Sequence, residues 1–264
     1  MRPISPRLLL AIAVAMAGPA AAAEVTLRFL SQDFPPYVER EGQQARGPFV
    51  RLVMEGCARL GWKCSVEVLP WRRAQAAVER GEAEGIFPLL DTPQRRQIYH
   101  LSQPVVGVQM VFFTRVEQDF FYRDPASLGT QRIIGVFGPS GTATVLQDIV
   151  AANPNTMVVE PDNTTVLRKL LAGRYGEDGV ALINRDVAWH LADRSHLTGL
   201  REAGVAHTDT YRIGLVRKRV SAAQANAFMD MLAEMCTSPA AALLLAPELV
   251  PSAACGAVPA KAAR

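Results

Sequence analysis

Residues 70–104 contain several changes of secondary structure within 35 positions, and this segment constrains the fold more than any other. Residues 72–80 have apolar side chains at helical spacing, and a glycine follows them. The apolar run 85–87 is short enough for a buried strand, and we expect Pro88 to prevent its continuation as a central strand. Residues 91–93, Asp-Thr-Pro, are then typical of a helix start. The segment therefore predicts helix, buried strand and new helix in quick succession.

The predicted helix start places Arg95 one turn after Thr92. Backbone N–H groups, the positive end of the helix dipole and a forked guanidinium would converge there on an anion. An arginine in a first helical turn is alternatively a solvated or salt-bridged surface residue. The residues alone leave both interpretations open.

The order of these residues resembles family 3 of the extracytoplasmic solute-binding proteins, the amino-acid-binding class that serves ABC importers. That family has an aromatic residue after the second strand, a Gly-x-hydrophobic-Asp-type strand, Thr-x-x-Arg and Ser/Thr-x-Pro. The matching positions here are Trp71, 81–87, Thr92 with Arg95, and 102–104. The resemblance implies that Arg95 pairs with a ligand carboxylate and that Thr92 and Trp71 contribute to the same site. Arg73 is a further candidate for this site and is alternatively a surface charge of its helix, as is Arg72. Pro-Trp-x-Arg-Ala at 70–74 resembles a branch whose ligands are poorly defined.

The resemblance places further ligand contacts on both sides of a cleft. In the family, the loop after the first strand carries an aromatic residue that stacks on the ligand. The match puts Phe34 there, with Tyr37 as second choice, and Phe34 is alternatively a plug at the edge of the core. Ser140, Gly141 and Thr142 open a helix in a loop that faces the cleft in the family. This glycine-rich turn lacks the lysine and spacing of a nucleotide loop.

One position departs from the pattern for α-amino acids. Family members that bind them place an aspartate after a strand of the second half, where it pairs with the ligand ammonium. Here the aligned position is Asn184 or Arg185, and Asp186 reaches it only through a one-residue shift. An ordinary α-amino acid is therefore a less expected ligand. With Arg95, Arg73 and Arg185 all near the predicted cleft, we expect a carboxylated or otherwise anionic solute.

Strands and helices alternate in both halves of the chain, which indicates parallel sheets flanked by helices. With the resemblance, this predicts a two-lobed α/β fold of the periplasmic-binding-protein type II, its lobes joined by two hinge strands at 105–114 and 211–217. The predicted divisions are a signal peptide at 1–23, lobe one at 24–112 and 209–256, lobe two at 113–208, and a disordered tail at 257–264.

The N-terminus predicts export. Arg2 and Arg7 precede the apolar stretch 8–17, and small residues at 21–23 suit cleavage before Glu24. We expect a periplasmic protein without a membrane anchor. The chain has 28 basic and 25 acidic side chains, and this near balance gives no argument for a nucleic acid or membrane partner.

Export permits disulfides among the four cysteines, for which three connectivities are possible. Cys57 lies near the end of a predicted helix and Cys64 begins the next strand, which favours pairing within the sequence-local pairs. The remaining pair is then Cys236 with Cys255. The separation of Cys57 and Cys64 also resembles the disulfide of histidine- and lysine-binding family members. Scattered histidines and the lack of Cys-x-x-Cys predict no metal site, and we predict no cofactor.

The leading functional hypothesis is a monomeric, non-catalytic binding protein that closes on a small solute and serves the membrane subunits of an ABC importer. An enzyme of the cyclohexadienyl dehydratase type on the same fold is one alternative. It needs a positioned acid or base, for which Asp33, Asp91 and Asp186 are the candidates. A periplasmic accessory or sensory subunit that binds another protein is a further alternative.

Overall fold

The computed structural model describes residues 24–237 of the 264-residue chain. The predicted signal peptide, Cys255 and the predicted tail lie outside these residues. The first part contains, in chain order, β1 (Thr26–Ser31), β2 (Glu39–Glu41), β3 (Gln44–Arg46), α1 (Pro48–Arg59), β4 (Lys63–Val68), α2 (Trp71–Glu79), β5 (Gly85–Leu89), α3 (Pro93–Ile98) and β6 (Tyr99–Leu101). The rest contains β7 (Val106–Arg115), a 3-10 turn (Pro125–Leu128), β8 (Ile133–Phe137), α4 (Gly141–Ala152), β9 (Thr156–Glu160), α5 (Asn163–Leu171), β10 (Val180–Asn184), α6 (Arg185–Arg194), β11 (Leu200–Val216) and α7 (Ala222–Thr237).

Two groups of parallel strands lie at opposite ends of one curled mixed sheet, whose order is β4-β1-β5-β11-β7-β10-β8-β9. β1 pairs in parallel with β4 and β5, and β8 pairs in parallel with β9 and β10. Helices connect these strands, as parallel pairing requires. We call the part with β1, β4 and β5 the first lobe and the part with β8, β9 and β10 the second lobe.

Two long antiparallel strands, β7 and β11, connect the lobes. β11 pairs with β7 as far as Tyr211, which lies opposite Val106, and from Arg212 onward it pairs with β5. This strand is longer than the predicted 211–217 because its earlier residues pair with β7. One strand therefore belongs to both lobes. The lobe boundaries at 113 and 209 stay predictions.

Aromatic rings hold the core of the first lobe together. Phe29 on β1 lies 6.1 Å from Phe87 on β5 and 5.7 Å from Phe228 on α7, measured between ring centroids. A disulfide between Cys57 and Cys64, whose Cα atoms are 6.1 Å apart, ties α1 to β4. The local pairing predicted for these two cysteines is confirmed. The predicted partner of Cys236 lies outside the described residues.

The expectation that Pro88 excludes a central strand is wrong. β5 continues through this proline between β1 and β11. Its register with β11 shifts between Arg212 and Gly214, next to the proline, so regular pairing is interrupted where the ring lacks an N–H. The carbonyl of Phe87 accepts a hydrogen bond from the Ser31 hydroxyl at 2.7 Å on the other side.

The described part of the chain offers neither a membrane span nor a metal cluster. Within residues 24–237, no helix combines the length and apolarity needed to cross a membrane. In the same residues, no group of three or more histidine, cysteine, aspartate or glutamate side chains is placed to hold a metal ion.

Candidate functional site

A small cavity of about 30 Å³ lies between the lobes, and we call it the inner cavity. The ends of β1, β5, β8 and β10 meet there with the starts of α2 to α6. Ligands of open α/β sheets bind at such a meeting of strand ends and helix starts. The lining residues are Gln32, Phe34, Trp71, Pro88, Leu90, Arg95, Phe137, Ser140, Gly141, Thr142, Asn163, Asn184 and Tyr211.

Arg95 is the one charged side chain among the residues that line the inner cavity. The Thr92 hydroxyl caps α3 by accepting from the Arg95 backbone N–H at 3.2 Å, and Arg95 Nη1 donates to the Leu90 carbonyl at 2.8 Å. Burial lowers the pKa of Arg95, although arginine stays charged in proteins. No ion pair to Arg95 forms within residues 24–237, whereas the neighbouring Arg96 pairs with Asp91 at 2.6 Å. The cavity wall therefore carries a positive charge that forms no ion pair with a carboxylate of the described residues.

Aromatic side chains form the first-lobe wall. Phe34 stacks on Tyr37 with ring centroids 5.4 Å apart and meets Tyr211 edge-on at 5.9 Å. Phe34 is 8 % exposed and Trp71 is 7 % exposed, and both line the cavity. The two interpretations of Phe34, a core plug and a cavity wall, thus apply to the same ring. Trp71 begins α2 and covers the cavity from that side.

Ser140, Gly141 and Thr142 form part of the second-lobe wall at the start of α4. The Ser140 hydroxyl accepts from the Ala143 N–H at 3.1 Å and donates to the Phe137 carbonyl at 2.6 Å. Its only proton is therefore used within the loop. Thr142 is then the remaining polar side chain that this loop contributes to the wall.

The lobes lie in a closed arrangement. A Cβ atom added to Gly141 of the second lobe would lie 2.2 Å from Leu90 Cδ1 of the first lobe. Across the same gap, Arg194 Nη1 lies 3.1 Å from Glu39 Oε2. A side chain at position 141 would therefore have to displace Leu90 or hold the lobes farther apart.

A hydrogen-bond network crosses between the lobes beside the cavity. The buried Tyr37 hydroxyl lies 2.7 Å from Asp186 Oδ2 and 3.2 Å from Asn184 Oδ1. Asn184 Nδ2 in turn donates to the Tyr211 hydroxyl at 3.4 Å, and Asn184 Oδ1 caps α6 by accepting from the Val187 N–H at 3.2 Å. Burial raises the pKa of both tyrosines, so they act as neutral groups. Asp186 is occupied by Tyr37 and does not line the inner cavity.

The Asp186 carboxylate predicts a pH effect on stability. Burial raises its pKa above 3.8, while the Tyr37 hydrogen bond and Arg185 lower it to a smaller extent. The folded protein therefore keeps this proton to higher pH than the unfolded chain, and the resulting stability is lost as pH rises through the folded pKa. We expect Asp186→Asn, which cannot titrate, to gain stability relative to wild type as pH rises from 4. Thermal unfolding across pH 4–7 measures the difference, and Asp193→Asn, on the exposed side of α6, is the control. If Tm changes with pH in the same way for wild type and Asp186→Asn, the raised pKa of Asp186 is contradicted.

A larger cleft of about 700 Å³ adjoins the inner cavity, and we call it the outer cleft. Its first-lobe side follows the β1 loop and the end of β4, and its second-lobe side follows the ends of β8 and β9. The two spaces share several walls. The outer cleft is lined by Gln32, Asp33, Phe34, Arg40, Val68, Leu69, Pro70, Trp71, Arg72, Phe137, Gly138, Pro139, Val159, Glu160, Pro161, Asp162 and Asn163.

Three residues predicted for the site lie elsewhere. Arg73 is exposed on α2 and lines neither space. The Thr92 side chain caps α3 and positions Arg95 without reaching a cavity wall. Arg185 Nε and Nη2 donate to the Glu202 carboxylate at 2.9 and 2.6 Å, and Nη1 donates to Gln109. Arg185 is thus held in an ion pair on the β11 side of α6.

Other wall residues were not predicted. Tyr211 lies where β11 changes partner, and its place at the start of a predicted hinge strand was the available signal. Asn163 begins α5 directly after its cap, Asp162, so a capping motif marked its position. Gln32 directly follows β1, two positions before Phe34. Phe137 ends β8, and no pattern in the sequence distinguishes it from an ordinary core residue.

Comparison with known proteins identifies one matching sequence family and several solved structures with a similar fold. The sequence profile of the bacterial extracellular solute-binding proteins, family 3, matches residues 29–242. No curated protein matches the sequence significantly. A histidine kinase sensor domain with similarity to periplasmic binding proteins has a TM-score of 0.73 at 16 % identity, covering 84 % of this chain and 94 % of that chain.

Two binding proteins are similar to a comparable degree. An amino acid ABC transporter substrate-binding protein from Streptococcus pneumoniae, bound to L-arginine, has a TM-score of 0.69 at 17 % identity, covering 83 % of this chain and 92 % of that one. An ancestral amino acid-binding protein described as a precursor of cyclohexadienyl dehydratase has a TM-score of 0.70 at 14 % identity, with coverages of 83 % and 92 %. These likenesses confirm the predicted α/β fold class.

Proposed function

Because the chain belongs to the bacterial extracellular solute-binding proteins of family 3, we propose that it captures a small carboxylated solute between its lobes in the periplasm. The solute has no free α-ammonium group. Closure of the lobes around it stabilises the shut form, which then serves the membrane subunits of an ABC importer. The protein acts as a monomer and carries out no chemistry on the solute.

The unpaired charge of Arg95 carries this proposal. Arg95 is the one charged side chain on the inner cavity wall, and its Nη1 is held by the Leu90 carbonyl at 2.8 Å. A guanidinium fixed in this way can form a bidentate pair with a carboxylate. Such a pair would neutralise a half-buried charge that forms no ion pair within residues 24–237.

The opposite wall argues against an α-ammonium group. The residue lining the cavity at the end of β10 is Asn184, which is neutral and already bonded to Tyr37, Tyr211 and the Val187 N–H. Asp186 is engaged by Tyr37 at 2.7 Å. A buried ammonium would therefore lie without a counter-charge, which is costly.

A ligand panel in matched triplets tests the proposal. Each carboxylic acid is compared with its primary amide and with its α-amino derivative in thermal unfolding of the protein. A ligand at about 100 times its Kd adds about 2.7 kcal/mol, which raises the Tm of a chain this size by roughly 5–10 °C. We expect the acid alone to give the full shift. Equal shifts from the amide would contradict the role of the Arg95 charge, and a larger shift from the amino derivative would contradict the absence of an ammonium site.

The enzymatic alternative draws support from the likeness to the ancestral precursor of a dehydratase. Its three candidate carboxylates are all engaged. Asp33 Oδ1 accepts from the Arg40 N–H at 3.0 Å, Asp91 pairs with Arg96, and Asp186 is held by Tyr37. We therefore favour binding without turnover. Conversion of prephenate or arogenate by the purified protein would overturn this preference.

The sensory alternative draws support from the likeness to a histidine kinase sensor domain. A sensory or accessory subunit would form a stable complex with another periplasmic protein. Co-purification of such a partner, together with no thermal shift from any member of the ligand panel, would favour this second function over solute transport.

A further inference from the structure

We propose that the outer cleft is a second subsite, which takes the elongated apolar body of a ligand whose carboxylate lies against Arg95. The inference rests on the proposed function, because it assigns the remainder of the same ligand. The ligand class is then an apolar monocarboxylate considerably larger than a common amino acid, such as an aryl-substituted alkanoic acid.

The two spaces differ in size by more than tenfold. The inner cavity has about 30 Å³, which suits a single small polar group, whereas the outer cleft has about 700 Å³. Binding sites for small molecules typically enclose about 300–1,000 Å³. The inner cavity alone is too small for a ligand, and the outer cleft is within the usual range.

The two spaces are adjacent and share part of their walls. Gln32, Phe34, Trp71, Phe137 and Asn163 line both of them. A molecule that extends from the inner cavity into the outer cleft would pass these side chains, three of which are aromatic. Its next atoms would lie beside these rings, where an apolar chain or an aryl ring binds well and an anionic group does not.

Apolar residues of both lobes line the outer cleft. The first lobe contributes Val68, Leu69 and Pro70, and the second lobe contributes Pro139 and Val159. Val159 is 53 % exposed, so an apolar surface that is costly in water lies open at this place. A ligand body that covers it would gain free energy from both lobes and would favour their closed arrangement.

The carboxylates that line the outer cleft already form hydrogen bonds or ion pairs with other groups of the protein. Glu160 is buried and lies 2.8 Å from Lys169 Nζ, and the Asp162 carboxylate caps α5 by accepting from the Thr165 N–H at 2.7 Å. Asp33 accepts from the backbone of the following loop. These carboxylates are therefore poorly placed to bind a cationic ligand, and the Arg40 and Arg72 side chains that also line the cleft would repel one.

A series of acids that differ only in length tests the subsite. Calorimetry gives Kd values for phenylacetate, 3-phenylpropionate and 4-phenylbutyrate with wild type, Val159→Asp, Arg95→Ala and the control Val116→Asp. Val116 is 61 % exposed and lines neither space, so its substitution changes charge without touching the cleft. On wild type we expect Kd to fall by about fourfold for each added methylene, the value for complete burial of one CH₂ group.

The variants separate the head site from the body site. Val159→Asp should abolish the dependence of Kd on the length of the acid, whereas Val116→Asp should preserve this dependence. Arg95→Ala should weaken the binding of every acid and should also preserve the dependence of Kd on length. A wild-type Kd that does not change with length, or a length dependence that survives Val159→Asp, would overturn the second subsite. If Arg95→Ala leaves all Kd values unchanged, the proposed carboxylate site fails, whatever the length dependence shows.

Discussion

Replacement of Arg95 by alanine is expected to raise the Kd of the carboxylated ligand by about 30-fold or more. Removing one partner of a buried, hydrogen-bonded charge pair costs about 2–5 kcal/mol, because the remaining carboxylate would lie in the cavity without a counter-charge. The α3 cap should persist, since Thr92 accepts from the backbone of residue 95 and not from its side chain. Isothermal titration of folded variants measures the loss.

Arg96 provides the matched control for this experiment. It follows Arg95 in the same turn but is exposed, and it pairs with Asp91 at 2.6 Å. Arg96→Ala should leave Kd within a few-fold of wild type, and Arg95→Lys should recover only part of the affinity, because a lysine cannot form the bidentate pair. Equal losses for Arg95→Ala and Arg96→Ala would show that general positive charge, and not the Arg95 site, attracts the ligand.

Substitution of Gly141 by valine is expected to weaken ligand binding by about 5- to 150-fold while leaving the unliganded protein folded. An added Cβ would lie 2.2 Å from Leu90 Cδ1 in the closed arrangement, and overpacking of this kind costs about 1–3 kcal/mol. Separation of the lobes relieves the clash, so the cost applies to closure and not to folding. Because the ligand binds the closed form, the whole cost appears in Kd.

Leu90→Ala gives this prediction a specific rescue. Shortening the side chain that meets residue 141 should restore affinity in the double variant, because the clash involves this one pair across the gap. Small-angle X-ray scattering with ligand present should report an open form for Gly141→Val and a closed form for the double variant. If Gly141→Val binds like wild type, or if Leu90→Ala gives no recovery, the contact does not control closure.

Local chemistry in the sequence was enough to predict the placement of Arg95. The Thr-Pro pair at 92–93 predicts a helix start, and the arginine one turn later follows from helix geometry, as α3 confirms. The short apolar run before it identified β5 in the same way. Patterns that extend over a few residues were thus sufficient for the elements that form the first-lobe wall.

Contacts between residues that are far apart in the sequence could not be predicted from such local patterns. Tyr37 and Asp186 are 149 positions apart, and nothing near either residue predicts that one hydroxyl bridges them. The same holds for Gly141 and Leu90, whose approach depends on how the two lobes meet. Pro88 misled the prediction for a related reason: the irregular register that accommodates it is a property of its partner strand, β11.

The position of β11 in both halves of the sheet affects how we expect the protein to unfold. Its first portion is a central strand of the second half of the sheet, and its last portion fills the same role in the first half, with the change at Tyr211 and Arg212. Loss of this strand would expose the apolar interior of both halves at once. We therefore expect the lobes to melt in a single cooperative transition, and we expect neither lobe to be a folding unit without β11.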